Sequence, residues 1–285
     1  MRSETSSSAS VSPHLDPQPP GERTCVIVVP CYNEAERLDF AAFESFECGR
    51  CRFVFVDDGS RDATAEVLDR LCRAAPDRFS MVRLERNRGK AEAVRQGILH
   101  ALDDNPRLVG YWDADLATPL DVIPQFCRVL DERPEVQLIM GSRVRLLGRS
   151  IQRHAVRHYV GRLFATAASL VLNLPVYDTQ CGAKILRVTE QTRPLFAKPF
   201  RASWAFDVEL LARYLAVHGR PAAESPWVGL YEMPLERWED VRGSKLSILG
   251  GLTAFRGLAY VFWHYRMRKG PVASGLTSQS HEVPK

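Results

Sequence analysis

The stretch LVGYWDADLATP, residues 108–119, combines the pattern of a buried strand with two acidic residues at its end. The run from Arg107 to Trp112 is too short for a helix and is predicted to be a β-strand. Asp113 and Asp115 follow it, with one alanine between them. Carboxylates at the end of a buried strand are costly unless something cationic compensates them. The compensating partner is expected to be an arginine, a metal ion or water.

Short apolar runs of the same kind recur along the chain, and each precedes a segment with helical spacing. They are rich in Val and Ile, as the buried strands of a parallel sheet are. The segments between them suffice for crossover helices, which need about a dozen residues or more. The sequence therefore predicts an α/β fold with a mostly parallel sheet and helices on both faces. The predicted strands are CVIVVP (25–30), FVFVD (53–57), MVRL (81–84), LVGYW (108–112), QLIMG (137–141), CGAKILRV (181–188) and WVGLYEMP (227–234), with later helices near Trp204–Val217 and from Leu246.

The two ends of the chain differ in composition from its centre. Residues 1–22 are rich in Ser and Pro and carry few large apolar side chains, so we expect them to be disordered, and residues 270–285 likewise. A single folded domain is predicted for residues 23–269. The N-terminus lacks the apolar core of a secretory signal, and the best candidate span, Leu246–Tyr265, is interrupted by Arg256. We therefore predict no transmembrane helix and a cytoplasmic location.

The seven cysteines are scattered, and several fall inside predicted strands. This distribution is typical of reduced cytosolic thiols rather than of a disulfide framework. Cys48 and Cys51 form the one close pair. Because no second pair or histidine cluster accompanies them, the sequence does not favour a zinc site or a redox pair there.

The charges are unevenly distributed, although 38 basic and 34 acidic residues leave a net charge of only +4 and do not indicate nucleic-acid binding. Residues 142–162 contain six arginines and two histidines but no acid. Arg149, Arg153 and Arg157 are four residues apart, so a helix would place them on one face. The sequence predicts a basic amphipathic helix suited to a membrane surface or an anionic substrate. An ordinary solvated helix face is the alternative.

Polar and acidic residues follow three of the predicted strands, at Pro30–Glu34, Asp57–Ser60 and Asp113–Asp115. The carboxyl ends of parallel strands meet at one edge of a sheet, where ligands bind. Acids gathered there would repel one another unless a divalent cation or a basic group offsets them. Taken alone, DDGS with the following RDAT (61–64) has a simpler interpretation, as a turn and a helix N-cap.

The glycine-rich nucleotide motifs are missing from the sequence, which has neither GxxxxGK[ST] nor GxGxxG after the first strand. The phosphates of a bound nucleotide would therefore have to be neutralised by metal and basic side chains. Two aspartates one residue apart suit Mg²⁺ or Mn²⁺, with a diphosphate completing the coordination shell. Asp113 and Asp115 are the predicted metal ligands.

Eight motifs occur in an order and spacing that resemble family 2 glycosyltransferases of the GT-A fold. They are VVPCYNE, FVDDGSRDAT, NRGKAEAVRQGI, DADLATP, IMGSR, DTQCGAKIL, WAFDVELL and RGSKLS, which span about Cys25 to Ser247. The set looks most like the polyprenyl (dolichyl) phosphate glucose and mannose synthases. DTQCGAK and WAFDVELL lean toward the dolichyl-phosphate glucosyltransferase branch.

The resemblance implies an inverting transfer of a hexose from a nucleotide diphosphate sugar, with Mg²⁺ or Mn²⁺ at the DxD. UDP-glucose is the donor that the glucose-branch motifs favour. The implied donor-binding residues are Pro30, Tyr32, Glu34, Asp58, Lys90, Asp113, Ala114, Asp115, Arg143 and Lys245, and those toward the acceptor and its phosphate are Arg153, Gln180 and Asp207. In the mannose-synthase relatives a glutamine two positions after the second Asp also reaches the metal, and here that position is Ala117.

The catalytic residues implied are Asp115, Arg143 and Asp207. If the acceptor is a hydroxyl, its proton must be removed, and Asp207 or Glu209 of WAFDVELL is the natural base. A phosphate acceptor is already ionised near neutral pH, so Asp207 would then orient the acceptor or the sugar. A helix N-terminus with an acid placed for the dipole is the alternative interpretation of this motif.

Three functions remain open from the sequence. The leading one is a peripheral membrane enzyme that glucosylates a polyprenyl phosphate, docking through residues 142–171 and 246–268. The second keeps the fold but uses a soluble acceptor, such as a natural product or small polar alcohol. The third is an inactive binding protein of this fold.

Overall fold

A computed structural model describes residues 25–152, 155–219, 229–239 and 248–267. The strands are β1 (Cys25–Cys31), β2 (Cys51–Asp57), β3 (Phe79–Arg83), β4 (Leu108–Trp112), β5 (Leu138–Ser142), β6 (Ser150–Gln152), β7 (Ala183–Arg187), β8 (Leu230–Pro234) and β9 (Arg237–Glu239). The α-helices are α1 (Phe40–Ser45), α2 (Thr64–Ala74), α3 (Lys90–Ala101), α4 (Val122–Glu132), α5 (Ala155–Leu172), α6 (Thr192–Ala197), α7 (Phe206–His218) and α8 (Ile248–Val261), and α8 continues as a π-helix over Phe262–Met267.

Seven strands form one sheet in the order β3-β2-β1-β4-β7-β5-β8. Neighbours are parallel except where β7 enters, since β7 runs antiparallel to both β4 and β5. Strands β6 and β9 form a separate parallel pair. The predicted α/β architecture with a mostly parallel sheet is confirmed.

Alternating side chains of the strands enter two apolar cores, one on each face of the sheet. Val26 and Val28 face the core that contains α3, α5, α7 and α8. Ile27 and Val29 face the core that contains α1, α2 and α4. Burial on both faces explains why these strands are continuous apolar runs rather than alternating ones.

The strand predictions agree with the structure within a few residues, and the later helix near Trp204–Val217 is α7. Residues 227 and 228 of the last predicted strand, Leu246, and the proposed domain limits at residues 23 and 269 lie outside the described residues, so those boundaries stay predictions.

The predicted helical face shared by Arg149, Arg153 and Arg157 is wrong. Residues 150–152 form strand β6, and α5 begins only at Ala155. The strand forms because Ile151 is buried in the second core and the segment pairs with β9. Arg149 therefore precedes a strand, and its guanidinium donates to the Pro234 carbonyl at 2.9 Å. Arg153 lies outside the described residues.

The expectation of reduced thiols also needs correction at one place. Cys48 and Cys51 are joined in a disulfide between α1 and β2, with Cα atoms 5.4 Å apart. This separation lies within the usual disulfide range, and the three-residue spacing across a tight turn provides it. The other five cysteines are free, and four of them are buried.

Helix α3 packs unusually close to the sheet at Gly97. A Cβ built there would lie 2.4 Å from Val28 Cγ1 and 2.7 Å from Val56 Cγ2. We expect Gly97→Ala to lower the free energy of unfolding by about 1–2 kcal/mol in urea titrations, because overpacking outweighs the helix propensity that alanine adds.

Gly49→Ala is the matched control, since no described atom lies within 4 Å of a Cβ at that position. It should unfold like the wild type. A Gly97→Ala protein as stable as the wild type would contradict the close packing of α3.

Candidate active site

The loops after β1 and β2 are fastened together at the carboxyl edge of the sheet. Asn33 takes a left-handed conformation with φ of 52°. Its backbone amide donates to Ser60 Oγ at 3.0 Å, and its side chain accepts from the Arg61 amide at 2.9 Å. The Glu34 amide donates to Thr64 Oγ1 at 2.8 Å. These bonds position the predicted donor-binding segment Pro30–Glu34 against DDGS.

Asp57 and Asp62 fit the simpler interpretation of DDGSRDAT. Asp57 is fully buried and its Oδ1 accepts from the Ser60 amide at 2.9 Å, which closes a turn. Asp62 accepts from the amide of Thr64 at 3.0 Å and from its hydroxyl at 2.5 Å, at the start of α2. These two carboxylates therefore organise the loop and the helix start.

Asp58 holds the loop that leads into α3. Its two carboxylate oxygens accept from the amides of Arg88 at 2.7 Å and Gly89 at 2.8 Å. Burial raises the pKa of the Asp58 carboxyl above its ordinary value, although both amide bonds act in the opposite direction. Lys90 is the next residue, so Asp58 determines where that side chain begins.

The acidic pair after β4 is met by basic side chains of the same protein. Lys90 Nζ lies 2.5 Å from Asp113 Oδ1. Arg37 lies 4.0 Å from Asp115 Oδ2 and 3.5 Å from Glu34 Oε2. The sequence interpretation missed Arg37, although it follows Glu34 by three residues, a spacing that allows an ion pair within one turn.

Burial and the neighbouring charges shift the pKa values of Asp115 and Lys90. Burial, and then the neighbouring Asp113, raise the pKa of Asp115. Desolvation would lower the pKa of Lys90, but the carboxylates of Asp113, Asp207 and Asp115 outweigh it and raise the pKa. The Lys90 side chain is 41% exposed, so solvent screens part of this effect. Lys90 remains a cation beside the acids.

Gly182 allows Asp113 to lie where it does. The Asp113 amide donates to the Gly182 carbonyl at 3.1 Å, next to the pairing of Trp112 with Ala183. A Cβ at Gly182 would lie 1.9 Å from Asp113 Oδ2. The DTQCGAK motif thus forms a wall of the acidic site, and only glycine fits at its closest point.

Asp207 lies buried beneath this site. Its Oδ1 accepts from the Tyr111 hydroxyl at 2.5 Å and from Lys184 Nζ at 2.6 Å. Lys184 is fully buried and also donates to the Cys181 carbonyl at 2.6 Å. The three side chains tie α7 to β4 and β7. This geometry favours an orienting function of Asp207 over that of a general base.

Glu209, the other candidate base, accepts hydrogen bonds inside the fold. It is fully buried, and its Oε2 accepts from the amides of Arg201 and Ala202 at 2.8 Å and 2.7 Å. Its Oε1 accepts from Arg213 at 2.8 Å. With both oxygens occupied inside the fold, Glu209 supports the loop before α7.

Arg143 is held at the end of β5 by Asp178 of DTQCGAK. Two parallel hydrogen bonds of 2.6 Å and 2.7 Å join the guanidinium to the carboxylate. The Tyr177 and Asp178 amides each donate to the Glu232 carboxylate at 2.7 Å. Bidentate geometry of this kind fixes the orientation of the guanidinium as well as its position.

Two polar groups of the same loop are buried without a hydrogen-bond partner within the described residues, the Thr179 hydroxyl and the Gln180 amide nitrogen. The sequence predicts Gln180 at the acceptor side but does not predict Thr179 there. Ala114 and Ala117 are buried, and the Ala117 amide donates to Asp115 Oδ1 at 3.2 Å. The predicted contacts of Arg153 and Lys245 fall outside the described residues.

Helices α5 and α8 expose large apolar side chains on adjoining elements. Those exposed are Tyr159, Val160, Leu163, Leu170, Phe255, Trp263 and Met267. The rings of Phe164 and Phe255 join the two helices, and Arg266 donates to the Leu170 carbonyl at 2.5 Å. Arg162 reaches from α5 to the Tyr177 carbonyl at 3.0 Å, which links this apolar surface to the loop of Asp178.

Neither a bilayer span nor an all-protein metal cage is evident in the part of the chain that the structure describes. No helix there is both long and apolar enough to cross a membrane. No group of three or more His, Cys, Asp or Glu side chains there could hold a metal. A cation at Asp113 and Asp115 would therefore complete its shell with other ligands.

A solved structure with the same fold is glucosyl-3-phosphoglycerate synthase from Mycobacterium tuberculosis, in complex with Mn²⁺, UDP-glucose and phosphoglyceric acid. It matches with a TM-score of 0.58 at 17% identity, over 85% of this chain and 80% of that one. At this identity the likeness establishes the fold, which is the predicted GT-A fold.

Sequence comparison is more specific. Residues 26–189 match the sequence model of a protein family described as Glycosyl transferase family 2. The dolichyl-phosphate β-glucosyltransferase of Mus musculus is 32% identical over 77% of this chain and 68% of its own length, and that of Drosophila melanogaster is 32% identical over 82% and 72%. The chain belongs to glycosyl transferase family 2, and the predicted family is confirmed.

The close approach of Gly182 to Asp113 has a functional consequence. Because the atoms nearest to a Cβ at Gly182 are those of the Asp113 carboxylate, at the end of a side chain, Gly182→Ala should fold but push that carboxylate aside. We expect the rate of glycosyl transfer to fall by about tenfold or more, as misplaced catalytic groups cause.

The measurement is the initial rate together with the melting temperature, and Gly49→Ala is the control for the same chemical change away from the site. Unaltered transfer by Gly182→Ala would show that the Asp113 carboxylate need not lie against this wall.

Proposed function

We propose that this enzyme transfers glucose from UDP-glucose to a dolichyl or related polyprenyl phosphate. The observation that carries the proposal is the pair Asp113 and Asp115 at the carboxyl edge of the sheet, enclosed by Lys90 and by the loop of Gly182. The curated relatives at 32% identity, which are named for glucosylation of dolichyl phosphate, support the sugar and the acceptor.

The residues present fit a divalent cation. Two carboxylates project from one strand end, and the Lys90 ammonium already contacts one of them at 2.5 Å. Mg²⁺ is commonly bound through one or two carboxylates together with substrate phosphates, so Asp113 and Asp115 would hold Mg²⁺ or Mn²⁺ with the donor. When bound, the ion supplies positive charge for the leaving diphosphate. The Mn²⁺ and UDP-glucose in the glucosyl-3-phosphoglycerate synthase structure support this choice.

The protein's own cations would complete the stabilisation of the departing diphosphate. Arg143 is held by Asp178 in a fixed orientation, and Lys90 lies at the acidic pair. Fixed donors need no reorganisation as charge develops, which is what makes them effective in the transition state. Attack from the opposite face of the sugar would invert its anomeric centre.

A phosphate acceptor agrees with the burial of Asp207. Its Oδ1 already accepts two hydrogen bonds, one of them from the Lys184 ammonium. A hydroxyl acceptor would need a base able to take a proton. A phosphate acceptor needs none, so Asp207 would serve to hold α7 and β7 in place under the reacting groups.

The exposed apolar surface of α5 and α8 supports a lipid acceptor. Tyr159, Leu163 and Trp263 are each at least 63% exposed. Aromatic and aliphatic side chains on surface helices, accompanied by basic residues, suit the headgroup region of a bilayer. On this proposal the enzyme works as a peripheral protein on the cytoplasmic face of a membrane.

The function is tested by assaying every combination of donor and acceptor. Purified enzyme with Mg²⁺ is incubated with either UDP-glucose or GDP-mannose, and each donor is combined with a polyprenyl phosphate in vesicles, with a soluble alcohol, or with no acceptor. We expect UDP release and a glucosylated lipid only with UDP-glucose and the lipid phosphate. Release only with the soluble alcohol, or with no acceptor at all, would reject the proposal.

The metal assignment has a separate test. Asp115→Ala should lower the Mg²⁺-dependent rate by about a hundredfold or more while the circular dichroism spectrum stays unchanged, because it removes one of the two proposed protein ligands of the cation. Asp103→Ala is the control, since Asp103 pairs with Arg193 on the exposed surface. An active Asp115→Ala enzyme would refute the assignment.

A further inference from the structure

Lys90 forms an ion pair with Asp113, which the proposed reaction needs as a ligand of the divalent cation. Its ammonium lies 2.5 Å from Asp113 Oδ1, which is close enough for a charge-assisted hydrogen bond. A divalent cation binds carboxylate oxygens at about 2.1 Å for Mg²⁺. One oxygen cannot hold both at these distances without strong repulsion between the two cations.

The backbone at Lys90 is fixed, whereas its side chain is long and partly exposed to solvent. The preceding amides of Arg88 and Gly89 are bound by the buried Asp58 carboxylate. The Lys90 side chain is 41% exposed, and its ammonium lies 6.0 Å from the Phe206 ring centroid, at the outer limit of a cation–π contact. Four rotatable bonds therefore separate a rigid anchor from a mobile charge.

The second basic side chain at the acidic pair does not have this freedom. Arg37 lies closer to Glu34, at 3.5 Å, than to Asp115, at 4.0 Å. Arg37 and Glu34 both belong to the loop after β1, which hydrogen bonds to the loop after β2 hold in place. The exchangeable charge at Asp113 is thus Lys90 rather than Arg37.

We propose that Lys90 is an internal counter-ion of Asp113 that exchanges its partner when the donor binds. It neutralises Asp113 in the free protein, leaves that carboxylate as the cation and nucleotide sugar enter, and pairs with the donor diphosphate. The inference deepens the proposed function and rests on it for the identity of the donor. Its first half, competition with the cation, concerns Asp113 alone.

The exchange keeps the site close to electrical balance at each stage. Lys90 and Asp113 cancel each other before binding. Afterwards, a divalent cation satisfies the acidic pair, and the lysine is available to the negative diphosphate. An acidic site without such a counter-ion would carry uncompensated repulsion whenever the donor is absent.

The test measures two affinities in Lys90→Gln, Mn²⁺ alone by electron paramagnetic resonance and UDP-glucose at saturating Mn²⁺ by calorimetry. We expect Mn²⁺ to bind about three- to fivefold tighter, as loss of a partly exposed ion pair implies. UDP-glucose should bind about tenfold weaker, because a charge-assisted contact is lost. These opposite signs are the signature of the exchange.

Two control variants complete the design. Lys90→Arg keeps the charge and should return both affinities toward the wild type. Arg83→Gln removes one charge beside Asp57 at the same sheet edge, 3.6 Å from that carboxylate, and should leave Mn²⁺ affinity at Asp113 nearly unchanged. Melting temperatures verify that each variant is folded.

Unchanged or weaker Mn²⁺ binding by Lys90→Gln would overturn the counter-ion function. Tighter Mn²⁺ binding with unchanged UDP-glucose affinity would overturn the transfer of Lys90 to the diphosphate. If the wild type binds Mn²⁺ but not UDP-glucose, the proposed donor is wrong, while the Mn²⁺ comparison still decides whether Lys90 competes with the cation.

Discussion

The pairing of Trp112 with Ala183 is the constraint on which the site depends. It inserts one antiparallel strand between β4 and β5, so that the beginning of β7 meets the carboxyl end of β4. In that register Gly182 lies against Asp113, and Tyr111 and Lys184 lie side by side and both donate to Asp207. A wholly parallel sheet would place the loop before β7 at the opposite edge, away from the acidic pair.

The ionic groups around the site divide into fixed and adjustable ones. Lys184 and Asp207 form an ion pair that is buried from solvent. Removal of either partner would leave the other as an unpaired charge inside the protein. Arg143 with Asp178 is nearly as enclosed. Lys90 is much more exposed and lies at the surface where a substrate would arrive. Buried pairs hold the walls in place, and the partly exposed lysine has room to respond to a ligand.

Much of this was predictable from the sequence, because local patterns encode it. Runs of Val and Ile gave the strands, and the rule that parallel strands end at one edge brought Glu34, Asp58 and Asp113 together. Strand β6 was missed because its signal is a single buried side chain, Ile151, whose partner strand begins more than eighty residues later. The anchoring of Asp207 was missed for the same reason, since Tyr111 and Lys184 come from strands far from it in sequence. Local spacing can indicate that a charged residue is a candidate for the site, but it does not show which distant residue pairs with it.

The apolar surface of α5 and α8 comes entirely from the chain after residue 154, whereas the acidic pair and the basic side chains that contact it come from the part before residue 120. Arg162 joins this apolar surface to the Tyr177 carbonyl, next to Asp178, which holds Arg143. Such a division lets the two halves diverge at different rates during evolution. On the proposed function, a descendant could acquire a new acceptor by changing the exposed helices alone, while the residues around the acidic pair are inherited unchanged.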